Sequence, residues 1–168
     1  MSAGRAVRLG RMAPVLQFRD VVVRRDSRNI VDHLDWDVAQ DERWVILGPN
    51  GAGKTTLVQA MAGVLPSPKG TVRVGGHDIA RLDERTPAER VGFVFQNPDN
   101  QIVYPTVAED IAFGLKGRGL DKPAVAARVA ATLDRFGLTG MDDRLAHELS
   151  GGERQMLALA GVMAMAPR

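Results

Sequence analysis

The sequence predicts an α/β fold in which a β-rich first half precedes a mainly helical second half. Three observations support this prediction. Short runs rich in apolar and β-branched residues recur up to residue 95. Helix-start patterns dominate from Thr106 onward. A glycine-rich stretch at residues 48–56 lies between an apolar run and a helical run, which is typical of a strand–turn–helix unit.

The composition is that of one ordinary globular domain. The 168 residues are 45% hydrophobic and 25% charged, and the formal net charge is only +2. Because the chain has no cysteine, a disulfide scaffold and thiolate metal sites are excluded. The small net charge gives no sign of a nucleic-acid-binding surface. No apolar run approaches the roughly 20 residues of a membrane-spanning helix, and residues 1–13 are expected to form a disordered leader without a secretory signal.

Five segments are expected to form strands. Val15–Val23, Ile30–Val38 and Thr71–Val74 mix apolar and polar positions, as half-buried strands do. Arg43–Leu47 is almost continuously apolar, which is typical of a strand buried on both faces of a parallel sheet. The apolar run Gly92–Phe95 is expected to be a further strand.

Helices are expected at three places before residue 140. The stretch Leu57–Val64 follows the glycine-rich segment directly and is predicted to be helical. Thr106 and Glu109 have the spacing of a capping box, in which each side chain satisfies a free amide at a helix start. Asp121 is the predicted N-cap of an alanine-rich helix over Pro123–Phe136.

The glycine-rich stretch carries a phosphate-binding pattern. Its letters GPNGAGKT match G-x-x-x-x-G-K-[ST]. Glycines let successive backbone amides point at a triphosphate, and the following helix adds free amides and the positive end of its dipole. We expect Lys54 to reach the β- and γ-phosphates and the Thr55 hydroxyl to ligate Mg²⁺. The residues expected to bind nucleotide are Gly48, Pro49, Asn50, Gly51, Ala52, Gly53, Lys54, Thr55 and Thr56.

A second glycine pattern lies in the helical half. Ser150-Gly-Gly-Glu153 has the spacing of another capping box and precedes an apolar helix at Gln155–Ala164. Together with the phosphate loop, Leu149–Gln155 resembles the signature sequence of ATP-binding cassette (ABC) ATPases. The resemblance covers Val15 to the C-terminal end. It implies a P-loop NTPase fold of the ABC ATPase type, with a β-rich, RecA-like nucleotide-binding lobe at 14–103, a helical lobe at about 104–150 and a signature helix at 150–168.

The resemblance also implies roles for particular residues. In the family, the signature of one subunit contacts the γ-phosphate held by a partner in a head-to-tail dimer. Gln96 resembles the family's Q-loop glutamine, which would ligate Mg²⁺ with Thr55 and sense a transmembrane subunit through the flexible Asn97–Gln101 segment. Arg25 takes the place of an adenine-stacking aromatic residue and is either stacked on the purine or a solvated turn residue. The signature residues are Leu149, Ser150, Gly151, Gly152 and Glu153.

The residues around Gln96 resemble one subgroup of the ABC ATPases. Val91–Val103 and Pro105–Gly114 look like the ATPases of energy-coupling factor (ECF) importers, which serve cobalt, nickel, biotin and other vitamins. This implies a subunit that uses ATP and Mg²⁺ to drive uptake of a metal ion or vitamin. Its implied partners are a second ABC ATPase subunit, identical or different, and a transmembrane subunit, with no nucleic acid. Its implied location is cytoplasmic, on the inner face of the plasma membrane.

One family feature has no counterpart among the 168 residues. In the family, a Walker B strand with an Asp and a Glu, and later a switch histidine, follow the signature helix. We therefore expect very slow hydrolysis by this chain alone, with no catalytic side chain beyond Lys54 and Gln96, and an exposed sheet edge. Two alternatives stay open: a truncated ATP-binding remnant that does not hydrolyse, and a soluble ABC ATPase outside transport. The sequence does not name the transported solute.

Overall fold

A computed structural model describes residues 13–25, 27–65, 69–81, 90–116 and 118–166. The chain divides into two units, Met1–Arg90 and Val91–Arg168. Nearly all of the predicted leader lies outside the described residues, and the predicted lobe boundaries stay a prediction. No helix in the described part of the chain is long and apolar enough to cross a membrane.

The first unit is built on an antiparallel sheet of four strands in the order β2-β1-β3-β4. The three mixed apolar and polar strands predicted from the sequence are confirmed, with each end within two residues of its predicted position. Phe18 and Val21 on β1 are fully buried, and Val72, the partner of Phe18 on β3, is 2% exposed. The strands are β1 (Leu16–Arg25), β2 (Arg28–Val38), β3 (Lys69–Val74) and β4 (His77–Asp78).

The pairing of β1 with its neighbours is interrupted at Asp20. The β1–β2 register shifts between Phe18 and Val21, and both Asp20 and His33 have positive φ angles, 51° and 46°. Their side chains form an ion pair across the irregularity. Gly70 on β3 faces the same point with φ 88°, and a Cβ there would lie 2.3 Å from the Asp20 carbonyl oxygen. Only glycine fits this close approach of two backbones.

The prediction of a fully buried strand at Arg43–Leu47 is wrong for the structure described. The segment forms no strand, and Trp44, Val45 and Leu47 are 55%, 78% and 85% exposed. Gly92–Phe95, in the second unit, likewise forms no strand. An apolar run becomes a strand only when a neighbouring strand accepts and donates its backbone hydrogen bonds. Within the described residues, the sheet formed by β1–β4 supplies no such neighbour to either run.

Four α-helices are described, the first in the first unit and the others in the second. The second unit packs its helices around a core that includes Ile111, Leu138 and Leu157, each at most 1% exposed. Helix α1 begins at Lys54, three residues before its predicted start. The helices are α1 (Lys54–Met61), α2 (Val107–Phe113), α3 (Lys122–Arg135) and α4 (Gly151–Ala164).

The predicted caps of the second unit are confirmed. Thr106 and Glu109 form a complete capping box at the start of α2. Asp121 accepts a hydrogen bond from the Ala124 amide at 2.9 Å and so caps α3. Ser150 and Glu153 form the second capping box, at α4. Each of these contacts joins residues three apart, which is why their spacing alone predicted them.

Candidate functional site

The phosphate loop opens directly into α1. The N-cap residue of α1 is Gly53, with φ 87°, and no side chain caps the helix. A Cβ at Gly53 would lie 2.5 Å from the Ile30 Cγ2 of β2, so both the backbone angle and the packing require glycine here. The first turn of α1 contains no acidic residue. Its amides therefore remain available to an anion, which the positive end of the helix dipole also attracts.

Lys54 is folded back onto the loop that precedes it. Its Nζ donates hydrogen bonds to the carbonyl oxygens of Gly48 at 2.8 Å and Pro49 at 2.9 Å. Thr55, the next residue, is exposed at the start of the helix. The structure thus places the loop, the lysine and the threonine together at one helix end, and their role in phosphate binding stays a prediction.

Arg25 lies at the end of the hairpin formed by β1 and β2. It is exposed and pairs across the hairpin with Arg28. Ile30, which packs against Gly53, lies on β2 two residues after Arg28. The end of the β1–β2 hairpin is therefore about 7 Å along the strand from the contact between Ile30 and the phosphate loop. Both interpretations of Arg25, stacking on adenine or solvation, remain predictions.

Gln96 belongs to the second unit, where it is exposed directly after Phe95. The segment that follows is an ordered turn. The Asn97 side chain accepts a hydrogen bond from the Asp99 amide at 3.1 Å and caps a 3₁₀ turn over Pro98–Asn100. The Asn97–Gln101 segment thus contains an internal hydrogen bond and a short helical turn, and its flexibility, which the resemblance implies, stays a prediction.

The turn is also attached to α4. The Gln101 Nε2 donates a hydrogen bond to the Ala158 carbonyl oxygen at 2.6 Å. Asp99 Oδ1 lies 3.7 Å from the Arg154 Nη1. The sequence did not predict these contacts, because no local pattern marks contacts that join residues 55 or more positions apart.

The start of α4 combines an occupied cap with two open glycines. The Glu153 Oε2 accepts a hydrogen bond from the Ser150 amide at 2.7 Å, and Ser150 Oγ accepts one from the Glu153 amide at 3.3 Å. Hydrogen bonds from Ser150 lower the pKa of Glu153, and the charge of Arg144 lowers it further. Gly151 and Gly152 are exposed, with no neighbouring atom within 4 Å of a Cβ placed on either. As first-turn residues of α4, they also have amides without a backbone acceptor inside the helix.

Comparisons with known proteins agree with one another. The family model described as ABC transporter matches residues 31–168. The biotin transport ATP-binding protein BioM of Rhizobium etli is 45% identical over 152 residues, which cover 90% of this chain and 66% of that protein. The energy-coupling factor transporter ATP-binding protein EcfA1 of Lacticaseibacillus paracasei is 45% identical over 134 residues, covering 80% and 48%.

A solved structure shows the same likeness. It is cbiO1 from Clostridium perfringens, described as part of the ABC transporter complex cbiONQ. It matches with a TM-score of 0.81 and 29% identity, covering 93% of this chain and 63% of that chain. This chain thus spans between 48% and 66% of the length of these three proteins.

Proposed function

Because this chain belongs to the ABC transporter family, we propose that it is the ATP-binding part of an ECF-type importer that takes up a metal ion or a vitamin. The observation that carries the proposal is the phosphate loop, with its uncapped helix start and its lysine folded over the loop carbonyls. The biotin and energy-coupling factor transport named for its relatives supports the importer class. In the whole protein, ATP binding and hydrolysis drive uptake.

When ATP binds, Lys54 exchanges its hydrogen bonds to loop carbonyls for contacts with phosphate oxygens. The triphosphate takes the Lys54 ammonium away from the carbonyls of Gly48 and Pro49, and the first amides of α1 bind phosphate oxygens. A Mg²⁺ ion bound with the nucleotide would take most of its ligands from phosphate and water. Among the described residues no group of three or more His, Asp or Glu could hold a metal ion. From the family resemblance we propose Thr55 as one protein ligand, and we assign to Gln96 the ligand role that the same resemblance implies.

The signature is proposed to bind a second ATP molecule, which is held by a partner subunit. The Ser150 hydroxyl and the open amides of Gly151 and Gly152 form a small anion-binding end on α4. We assign this end to the γ-phosphate of nucleotide held by a partner ATPase subunit, as the family resemblance implies. Leu149, which is 3% exposed, anchors the end in the core of the second unit, and Glu153 closes the cap.

The second unit also carries the surface proposed for the transmembrane subunit. Val103, Phe113 and Leu120 are large apolar residues that are 63%, 49% and 42% exposed. Tyr104 stacks near Phe113 with ring centroids 5.0 Å apart, and the Lys116 Nζ lies 4.5 Å from the Tyr104 ring centroid. Docking here keeps the protein on the cytoplasmic side of the membrane. The choice of solute belongs to the membrane components.

The test is nucleotide binding by the 168-residue chain, measured calorimetrically with Mg²⁺–ATP. Lys54→Met keeps the length of the side chain and removes its charge. We expect binding about 10- to 100-fold weaker, because a charged hydrogen bond contributes about 1.5–3 kcal/mol. Lys122→Met, on an exposed residue at the start of α3, is the matched control and should bind like the wild type. Equal affinity of the Lys54 variant and the wild type would contradict the proposal.

A further inference from the structure

Ile30 lies at an irregularity in the pairing of β1 with β2. Val23 pairs with Val31, and the next residue of β1, Arg24, pairs with Asn29. Ile30, which lies between these two residues of β2, therefore has no partner on β1. An extra residue of this kind forms a β-bulge, which bends the strand and redirects a side chain. The Ile30 side chain is thus free of the regular alternation along β2.

The half-buried Ile30 covers the N-cap residue of α1. A Cβ placed on Gly53 would lie 2.5 Å from the Ile30 Cγ2 and 3.1 Å from the Ile30 carbonyl oxygen. Gly53 has a φ of 87° and no side chain caps the helix there. Glycine loses more conformational freedom than any other residue when its backbone is fixed. A contact that holds Gly53 before ligand arrives therefore removes a cost that ligand binding would otherwise carry.

The backbone of Gly53 sets the start of α1. Its carbonyl oxygen accepts the first hydrogen bond of the helix, from the Leu57 amide at 2.9 Å. The amides of the first turn, which are proposed to bind phosphate oxygens, have no acceptor inside the helix. Their direction follows from the conformation of Gly53. Ile30 is therefore placed to act on the phosphate loop although it lies more than twenty positions before Gly53.

We propose that Ile30 is a positioning residue for the phosphate loop. Its Cγ2 methyl, aimed by the bulge, holds Gly53 in the conformation that directs the first amides of α1 towards phosphate. The inference rests on the proposed function, because it adds a residue to the same nucleotide site. Two other roles give different results. A structural Ile30 would affect stability alone, and an Ile30 that touched only the nucleotide would leave the ligand-free loop unchanged when it was removed.

The first experiment is calorimetric titration of the 168-residue chain with Mg²⁺–ATP, at a temperature where every variant is folded. Ile30→Ala removes the Cγ2 methyl and Ile30→Val keeps it. Val31→Ala is the matched control, because it truncates a buried neighbour that supplies none of the three atoms nearest to a Cβ on Gly53. We expect Ile30→Ala to bind about fivefold more weakly, since the nucleotide must then fix Gly53 itself. The other two variants should bind like the wild type.

The second experiment is hydrogen exchange of the ligand-free protein, resolved for single amides by nuclear magnetic resonance. The Leu57 amide reports on Gly53, because it is bonded to the Gly53 carbonyl oxygen. In Ile30→Ala we expect this amide to exchange about fivefold faster, which matches the expected loss of affinity. In Ile30→Val and Val31→Ala its exchange should stay at the wild-type rate.

Several results would overturn the inference. Wild-type affinity in Ile30→Ala contradicts it, as does equal weakening in Ile30→Val or in Val31→Ala. Weaker binding with an unchanged Leu57 amide assigns Ile30 to direct contact with nucleotide and also contradicts it. A wild type that binds no ATP, or a Lys54→Met variant that binds as the wild type does, instead contradicts the proposed function. Should Ile30→Ala fail to fold, Ile30→Leu removes the methyl branch at Cβ, keeps the apolar volume and is subject to the same outcomes.

Discussion

Each of the two units contains an apolar segment, but the segment in the second unit is buried and the one in the first unit is exposed. In the second unit, Leu157 of α4 is fully buried, and the helix satisfies its own backbone hydrogen bonds. In the first unit, Val45 and Leu47 lie in an equally apolar run and are 78% and 85% exposed. The difference is that a helix forms its backbone hydrogen bonds within its own segment, whereas a strand needs a neighbouring strand to form them. Hydrophobicity alone therefore does not decide burial.

The largest effect expected from this comparison is at Leu157. Leu157→Ala removes a fully buried side chain from the core of the second unit. We expect it to lower the free energy of unfolding by about 2–5 kcal/mol, as large-to-small core substitutions do. Urea denaturation followed by circular dichroism measures the change.

Leu47→Ala is the matched control for that change. It removes the same atoms from a residue that is 85% exposed, so we expect a change within about 0.5 kcal/mol. If Leu47→Ala were as costly as Leu157→Ala, then Leu47 would be buried in solution and the contrast between the units would be wrong.

A second pair of substitutions compares glycines in the two units. Gly53→Ala places a Cβ 2.5 Å from the Ile30 Cγ2 at φ 87°, so we expect a loss of about 1–3 kcal/mol in stability and weaker ATP binding. Gly161→Ala in α4 meets no neighbour within 4 Å and should stabilise by about 0.5–1 kcal/mol. Differential scanning calorimetry reads both. A change in stability of the same sign in both variants would contradict the environments described for Gly53 and Gly161.

A third prediction concerns the cap of the signature helix. Ser150→Ala removes the hydroxyl that accepts from the Glu153 amide, so we expect a loss of about 1 kcal/mol in stability. Ser150→Asp retains an acceptor for the cap but places a negative charge where the γ-phosphate is proposed to bind. It should therefore keep the stability and lose ATP-dependent dimerisation, which analytical ultracentrifugation detects. Dimerisation of Ser150→Asp at wild-type strength would contradict the proposed role.

The smallest effect expected is a pH dependence in the sheet. The hydrogen bond to Asp20, followed by the charge of the same residue, raises the pKa of His33. This ion pair therefore contributes its full stability below the unfolded pKa of about 6.5 and loses it as pH rises through the higher folded value. Because both side chains are largely exposed, the change is small.

His33→Asn tests this assignment. Asparagine tolerates the positive φ of 46° at this position but does not titrate. The urea midpoint of the variant, compared with the wild type between pH 5 and 9, should show a flatter pH dependence. An identical slope in the two proteins would exclude His33 as its source.

The parts of the fold that were predictable from the sequence are those set by neighbours along the chain. The capping boxes at Thr106 and Ser150 each depend on residues within one turn, and Gly53 is marked by the phosphate-loop pattern around it. Arg43–Leu47 was mispredicted because strand formation depends on a distant partner. Gln101 was missed because its contact with Ala158 spans more than fifty positions and a lone glutamine carries no spacing signal.

The folded-back lysine of the phosphate loop has a consequence for selectivity among anions. With Lys54 already bound to two carbonyls, a small anion such as inorganic phosphate must break both contacts to gain a few of its own. A triphosphate carries enough oxygens to replace both and to bind the helix amides as well. We therefore expect a ligand that brings several phosphate oxygens together to displace Lys54 more readily than a single phosphate does. Competition between inorganic phosphate and ATP for the loop would measure this preference.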